Sequence, residues 1–154
     1  MNLTELLRID AIKVPLAASD KRAAIDELVD LLAARELISQ PQSLKDAVWQ
    51  REQQRTTGIG EGLAIPHGKC KCADELRVAI GLPAQPMNFD AVDKKPVRLI
   101  VLLASPPDKT SDHIQALGRI SRLMSSAQNR EAAFTATSAE ALYQVLAEAE
   151  TAST

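Results

Sequence analysis

VRLIVLLA, residues 97–104, is apolar at every position except Arg98. So short and so hydrophobic a run reads as a strand buried on both faces, the centre of a sheet that needs cover on either side. Its surroundings in sequence supply that cover. Upstream, residues 76–82 (LRVAIGL) read as a second strand, and residues 9–16 alternate Ile12, Val14 and Leu16 as a short strand does. Between these two, Ser19 or Asp20 caps a helix running to about residue 37. It sets Ile25, Leu28, Val29 and Leu32 on one face and Lys21, Asp26, Glu27 and Asp30 on the other. Pro41 then breaks the chain, and Ser43 caps a second helix over residues 44–54. Leu44, Ala47 and Val48 form its apolar face, with Arg51 and Gln54 near its C-terminal end. Downstream, Pro106 and Pro107 precede a helix that spaces Ile114, Leu117, Ile120, Leu123 and Met124. Ser138 caps a last helix with Leu142, Val145 and Leu146 inward. Strands and helices interleave, which predicts a single α/β sandwich around a mostly buried sheet over residues 1–150. Residues 151–154 read as a frayed, disordered tail.

The totals fit this reading and exclude several functions. At 154 residues the chain can close one hydrophobic core, which must be built from aliphatic side chains because aromatics make up only 3%. A net charge of −2 and a pI near 5.7 leave no bulk positive field for nucleic acid or an anionic membrane. The opening MNLTELLRID lacks the basic and apolar regions of a secretory signal, and the longest apolar run is far too short to span a bilayer. Cys70 and Cys72 are the only cysteines, and a bridge across the single residue Lys71 is expected to be strained. The chain therefore reads as a reduced, cytoplasmic protein with no insertion into the membrane.

Chemistry concentrates in TTGIGEGLAIPHGK, residues 56–69, which holds four of the six glycines. Leu63 and Ile65 alternate toward Pro66, so the segment reads as a short strand or hairpin ending at His67. Pro66 fixes its own φ and holds Ile65 extended, while Gly68 lets the chain turn and leaves room above the ring. An imidazole aimed in this way meets the needs of a nucleophile, although a lone loop histidine is more often structural. His113, the only other histidine, opens the helix after Pro107, where free N–H groups favour an anion; an exposed capping-region side chain is the plainer alternative. Arg51 offers a planar fork suited to phosphate oxygens, or else is a solvated helix charge.

Other readings of these residues are weaker. A dinucleotide fingerprint needs a helix to begin within the glycine run, and here the run leads into LAIPH. The Lys-Ser or Lys-Thr pair of a phosphate-binding loop is absent as well. His67, Cys70 and Cys72 crowd into six residues without a second pair of ligands, so no metal site is expected.

The segment TTGIGEGLAIPHGK closely resembles the active-site signature of enzyme IIA of the fructose/mannitol class in the bacterial phosphoenolpyruvate-dependent phosphotransferase system. The resemblance continues through FDAVDKKPVRLIVLLASP and SDHIQALGRISRLM, covers nearly the whole chain, and is nearest to the nitrogen-regulatory enzyme IIA. It implies a mixed central β-sheet flanked by α-helices. It also implies that His67 is phosphorylated on its tele nitrogen, that His113 is a second active-site histidine, and that Arg51, in an Arg-Glu pair with Glu52, belongs to the site. Glu61 of the glycine segment matches a family glutamate and is carried over as a further site residue. The implied donor is a histidine-containing phosphocarrier protein, with no cofactor and no metal. KCKC, residues 69–72, departs from the family pattern, and incidental surface cysteines are the expectation there. Two functions follow from the resemblance: a regulatory phosphoprotein whose phosphorylation state alters binding to target proteins, or a sugar-specific enzyme IIA that passes phosphate to a IIB domain. The stand-alone length points to regulation.

Overall fold

The computed structural model describes residues 2–152. In chain order these form α1 (Leu3–Leu6), a 3-10 turn (Ile9–Ala11), β1 (Ile12–Leu16), α2 (Lys21–Ala34) and α3 (Pro41–Gln54). Next come β2 (Gly58–Gly60), β3 (Leu63–Ala64), β4 (His67–Lys69), β5 (Arg77–Pro83) and β6 (Leu99–Ser105). The chain closes with α4 (Thr110–Leu123), α5 (Ala127–Phe134) and α6 (Ala139–Ala152).

All seven residues of β6 are buried, and it is the centre of the sheet. Alternation along β6 divides the interior in two. Ile100, Leu102 and Ala104 pack with Ile25, Leu28 and Leu32 of α2 and Leu44 and Val48 of α3. Leu99, Val101 and Leu103 pack with Ile120 and Leu123 of α4 and Leu142 and Leu146 of α6. The expected α/β sandwich therefore forms, with helices on both faces of a mixed sheet. Its strand order is β1-β5-β6-β3-β2, with β4 also on β6. β5 runs antiparallel to β6, and β1 parallel to β5. On the other edge β3 and β4 both pair parallel with β6, one after the other.

Several boundaries differ from the sequence reading, each for a local reason. Pro41 does not break the chain ahead of the second helix: it is that helix's first residue, where a missing N–H costs nothing, and Ser43 falls inside the first turn instead of capping it. Residues 9–11 form the 3-10 turn, so β1 begins only at Ile12. Asp20 does cap α2, accepting from Ala23 N–H at 2.9 Å, but α2 ends at Ala34 because Glu36 takes a left-handed φ of 59°. Ile114 is 62% exposed, and His113 and Ala116 take the inward positions of α4. α5 has no apolar stripe to announce it, since only Ala133 is buried, and Ser126 caps it. The glycine segment does not stop at His67; a strand begins there. Ser138 caps α6 as expected, accepting from Ala141 N–H at 3.0 Å. α6 continues through Thr151 and Ala152, and residues 153–154 lie outside the described part.

The cysteines also differ from expectation. Cys70 and Cys72 are buried and joined in a disulfide, not left as reduced surface thiols. The turn after β4 brings their Cα atoms to 5.0 Å, within the span that a disulfide bridges.

Candidate active site

Pro66 decides where the site begins. It has no N–H to give to β6, so the edge ladder breaks into β3 before it and β4 after it. Its carbonyl still accepts from Leu103 N–H at 3.0 Å, and the register holds across the break: Leu63 lies opposite Leu99 and His67 opposite Leu103. His67 is therefore set at the C-terminal end of the central strand by a continuous pairing, with its backbone fixed on both sides.

Gly68 brings the second element. A Cβ here would lie 3.0 Å from both the Val48 backbone N and Val48 Cγ2, and 3.2 Å from the Ala47 carbonyl carbon. The glycine thus serves close approach of α3 to β4, not the turn expected of it, and its φ is not left-handed. One helical turn beyond Ala47 and Val48 come Arg51 and Glu52. Glu52 is buried, and its carboxylate accepts from Thr57 N–H at 2.6 Å and from Thr57 O–H at 2.5 Å, with Lys21 Nζ 3.7 Å away. This clasp ties the end of α3 to the start of the glycine segment. Thr57 in turn accepts Ile65 N–H on its carbonyl at 3.0 Å, so the clasp reaches the residue two before His67. Arg51 occupies the last turn of α3, where its guanidinium donates to the Arg55 carbonyl at 2.8 Å.

The imidazole of His67 is half-buried, and its Nδ1 lies 2.9 Å from the Ile65 carbonyl oxygen. A carbonyl only accepts, so Nδ1 carries the proton and Nε2 keeps its lone pair. Burial pushes the ring's pKa below the ordinary 6.5, and the charge of Arg51 acts in the same direction; the Ile65 bond and Glu52 oppose them. The ring is neutral at pH 7, with a free nitrogen to offer.

His113 arrives from α4 and is 5% exposed, not the open capping residue that its position in sequence suggests. Its ring meets that of His67 edge to face, centroids 5.0 Å apart at 67°. Nδ1 of His113 lies 2.8 Å from Oγ of Ser105, the fully buried last residue of β6. Burial, then the proximity of His67 and Lys69, lowers the His113 pKa to about 4. Lys69, the end of β4, donates to Thr110 Oγ1 at 3.0 Å and bridges to the first turn of α4. Three elements that are distant in sequence thus converge here: the end of α3, the start of β4 and the start of α4.

Glu61 is not brought to this place. It sits at the tip of the β2–β3 hairpin with φ 57°, its N–H donating to Asp93 Oδ2 at 2.9 Å and its carboxylate 3.6 Å from Arg130 of α5. The level of Leu63 is four register steps from that of His67, roughly 13 Å along the strand, and Glu61 lies beyond it. Two residues that the sequence reading passed over do sit in the site. Ser105 and Thr57 carry no pattern that would single them out, since each is defined by a side chain that the passage from one element to the next folds back onto it, His113 for Ser105 and Glu52 for Thr57. Among the described residues, no group of three or more His, Cys, Asp or Glu side chains is arranged to hold a metal, and no helix is long and apolar enough to cross a membrane.

Known proteins similar to this chain are numerous. Residues 5–149 match the family described as "Phosphoenolpyruvate-dependent sugar phosphotransferase system, EIIA 2". The chain is 32% identical over 146 residues to a "PTS system fructose-specific EIIABC component" of Bacillus subtilis, covering 95% of this chain but only 23% of that protein. It is 34% identical over 153 residues to the "Nitrogen regulatory protein" of Escherichia coli, covering 97% of this chain and 92% of that one. Among solved structures, the nitrogen regulatory protein IIA-Ntr of Neisseria meningitidis superposes with a TM-score of 0.86 at 30% identity, over 94% of this chain and 98% of that one. With the family match spanning residues 5–149 and the fold in agreement, the chain belongs to the EIIA type 2 family of the phosphoenolpyruvate-dependent phosphotransferase system.

Proposed function

We propose that the protein is a phosphocarrier that accepts a phosphoryl group on Nε2 of His67 from a histidine-containing phosphocarrier protein and acts in the cytoplasm as a nitrogen-regulatory enzyme IIA. One observation carries the reading: His67 commits Nδ1 to the Ile65 carbonyl and leaves Nε2 as a neutral, unprotonated nucleophile. In the transfer, the Nε2 lone pair forms the new N–P bond while the donor's N–P bond breaks and its electron pair returns to the donor imidazole. The His67 ring gains positive character as the bond forms, and the Nδ1–H bond to Ile65 strengthens to meet it. Because Nε2 is already free, no base has to remove a proton first. Positioning and charge stabilisation carry most of a phosphoryl transfer, and Arg51 and His113 flank the acceptor for that purpose. Arg51 leaves the Arg55 carbonyl for a phosphoryl oxygen, exchanging a neutral acceptor for a charged one. His113 supplies a neutral donor from the interior.

The regulatory branch is supported by the 34% identity over 153 residues with the nitrogen regulatory protein of Escherichia coli and by the superposition on IIA-Ntr of Neisseria meningitidis. Regulation then consists of target proteins that bind one phosphorylation state of His67 in preference to the other. The identity shared with a fructose-specific component supports the alternative, a sugar-specific enzyme IIA that delivers phosphate to a IIB domain. Intact mass after incubation with phosphoenolpyruvate, enzyme I and phosphocarrier tests the carrier role. An acid-labile gain of one phosphate is expected for wild type and none for His67→Ala. No gain in wild type, beside an enzyme IIA that labels, refutes the reading. Transfer onward to a fructose-type IIB domain at rates comparable to a sugar-specific enzyme IIA would move the assignment to transport.

A further inference from the structure

We infer that Ser105 is a positioning residue for phosphoryl transfer: its hydroxyl holds His113 in the tautomer that carries the proton on Nε2, making that atom a hydrogen-bond donor on the ring packed against His67. The inference rests on the phosphocarrier reading above and names a residue that the reading does not require.

Ser105 is fully buried, and its Oγ lies 2.8 Å from Nδ1 of His113, the sole hydrogen-bond partner of that hydroxyl among the described residues. A neutral imidazole has one proton to place, on Nδ1 or on Nε2. If Nδ1 held it and donated to Ser105, the serine's own proton would be left without an acceptor in the interior, a state that folded proteins avoid. With Ser105 donating instead, the pair is satisfied and the ring proton goes to Nε2. The ring does stay neutral, since burial keeps its pKa near 4, so the question is one of tautomer and not of charge.

The backbone of Ser105 gives its hydroxyl the right place. Ser105 lies opposite Lys69 in the β4–β6 register, and its carbonyl accepts Cys70 N–H at 2.9 Å. The strand that begins with His67 is therefore clamped to Ser105 through the main chain, while the side chain of Ser105 holds the ring of His113. One residue thus sets both imidazoles, whose centroids are 5.0 Å apart, against each other. The consequence is electrostatic. A phosphoryl group on His67 brings acceptor oxygens only, so an Nε2–H beside it attracts and an Nε2 lone pair repels.

Nitrogen NMR of protein labelled in the histidine rings reads the tautomer directly in the unmodified chain. Wild-type His113 is expected to be protonated on Nε2. Ser105→Ala is expected to shift it toward a mixture and to slow phosphoryl transfer from the phosphocarrier about tenfold at unchanged KM, as loss of an orienting partner does elsewhere. Ser105→Thr, which keeps the hydroxyl, is expected to restore the tautomer and most of the rate. In a His113→Gln background, where no ring is left to orient, Ser105→Ala is expected to change the rate no further. A wild-type protein that takes no phosphate refutes the carrier reading and the transfer role of Ser105 together, whatever the ring spectrum shows. A wild-type protein that takes phosphate with His113 protonated on Nδ1, or a folded Ser105→Ala protein that transfers at the wild-type rate, overturns the Ser105 inference alone.

Discussion

Gly68→Ala separates packing from chemistry at this site. The added methyl would lie 3.0 Å from the Val48 backbone N, 3.0 Å from Val48 Cγ2 and 3.2 Å from the Ala47 carbonyl carbon. Val48 Cγ2 can rotate aside, but two of the three contacts are main chain of α3, which moves only as a unit. The helix must retreat from β4 by a few tenths of an ångström, and overpacking of this kind costs about 1–3 kcal/mol. For a chain of this length that lowers Tm by roughly 2–12 °C. The retreat carries Arg51 with it, one turn along the same helix, so transfer to His67 should slow by about an order of magnitude while the histidines stay in place. Gly118→Ala is the control. Gly118 lies inside α4 and a Cβ there meets nothing within 4 Å, so the substitution should stabilise by about 0.5–1 kcal/mol through helix propensity and leave transfer unchanged. Thermal unfolding of both variants, with phosphorylation rates from a phosphocarrier, makes the comparison. If Gly68→Ala unfolds and transfers as wild type does, α3 is not seated by that glycine and the account of how Arg51 reaches the site is wrong.

Other consequences can be checked in parallel. His113 has its pKa lowered to about 4 in the fold, against 6.5 unfolded, so as pH falls through that window the unfolded chain binds a proton that the folded one refuses. Stability should fall from pH 6.5 toward 4 by at most about 3 kcal/mol, and His113→Gln should flatten that part of the Tm profile. The same direction of shift at His67 means that phosphorylation should persist to lower pH than a free imidazole allows; a rate that drops in step with a pKa of 6.5 contradicts it. Glu52→Gln keeps the shape but loses the charge that accepts two bonds from Thr57, and should cost about 1–3 kcal/mol in denaturant titration. Paired with Thr57→Val, the two losses should be well short of additive. Glu61→Ala should change the phosphorylation rate of His67 by less than about twofold, because its ion pair with Arg130 lies at the other end of the strand register.

Much of this was legible along the chain because it is written in near neighbours. The apolar run that became β6 needed only its own composition, and the stripe Ile25, Leu28, Val29 and Leu32 only its own period. Pro66 announced extended chain at Ile65 leading into His67, since proline fixes its own φ and restricts the residue before it whatever the rest of the fold does. What lay beyond reach was every relation set by pairing across the fold. His67 meets His113 because the β4–β6 register and the entry of α4 bring two distant stretches together. Gly68 looks the same whether it opens a turn or admits a helix, and only the approach of Val48 tells which. Ser105 closes an apolar strand without any local mark, and its meaning comes wholly from the imidazole opposite. Glu61 matches a family glutamate by resemblance, yet the hairpin turn sets its carboxylate beside Arg130 and away from His67. Period and backbone restriction are properties of short segments, and the sequence determines them directly. The partner that a side chain faces is fixed by register and helix packing, which only the whole tertiary structure decides.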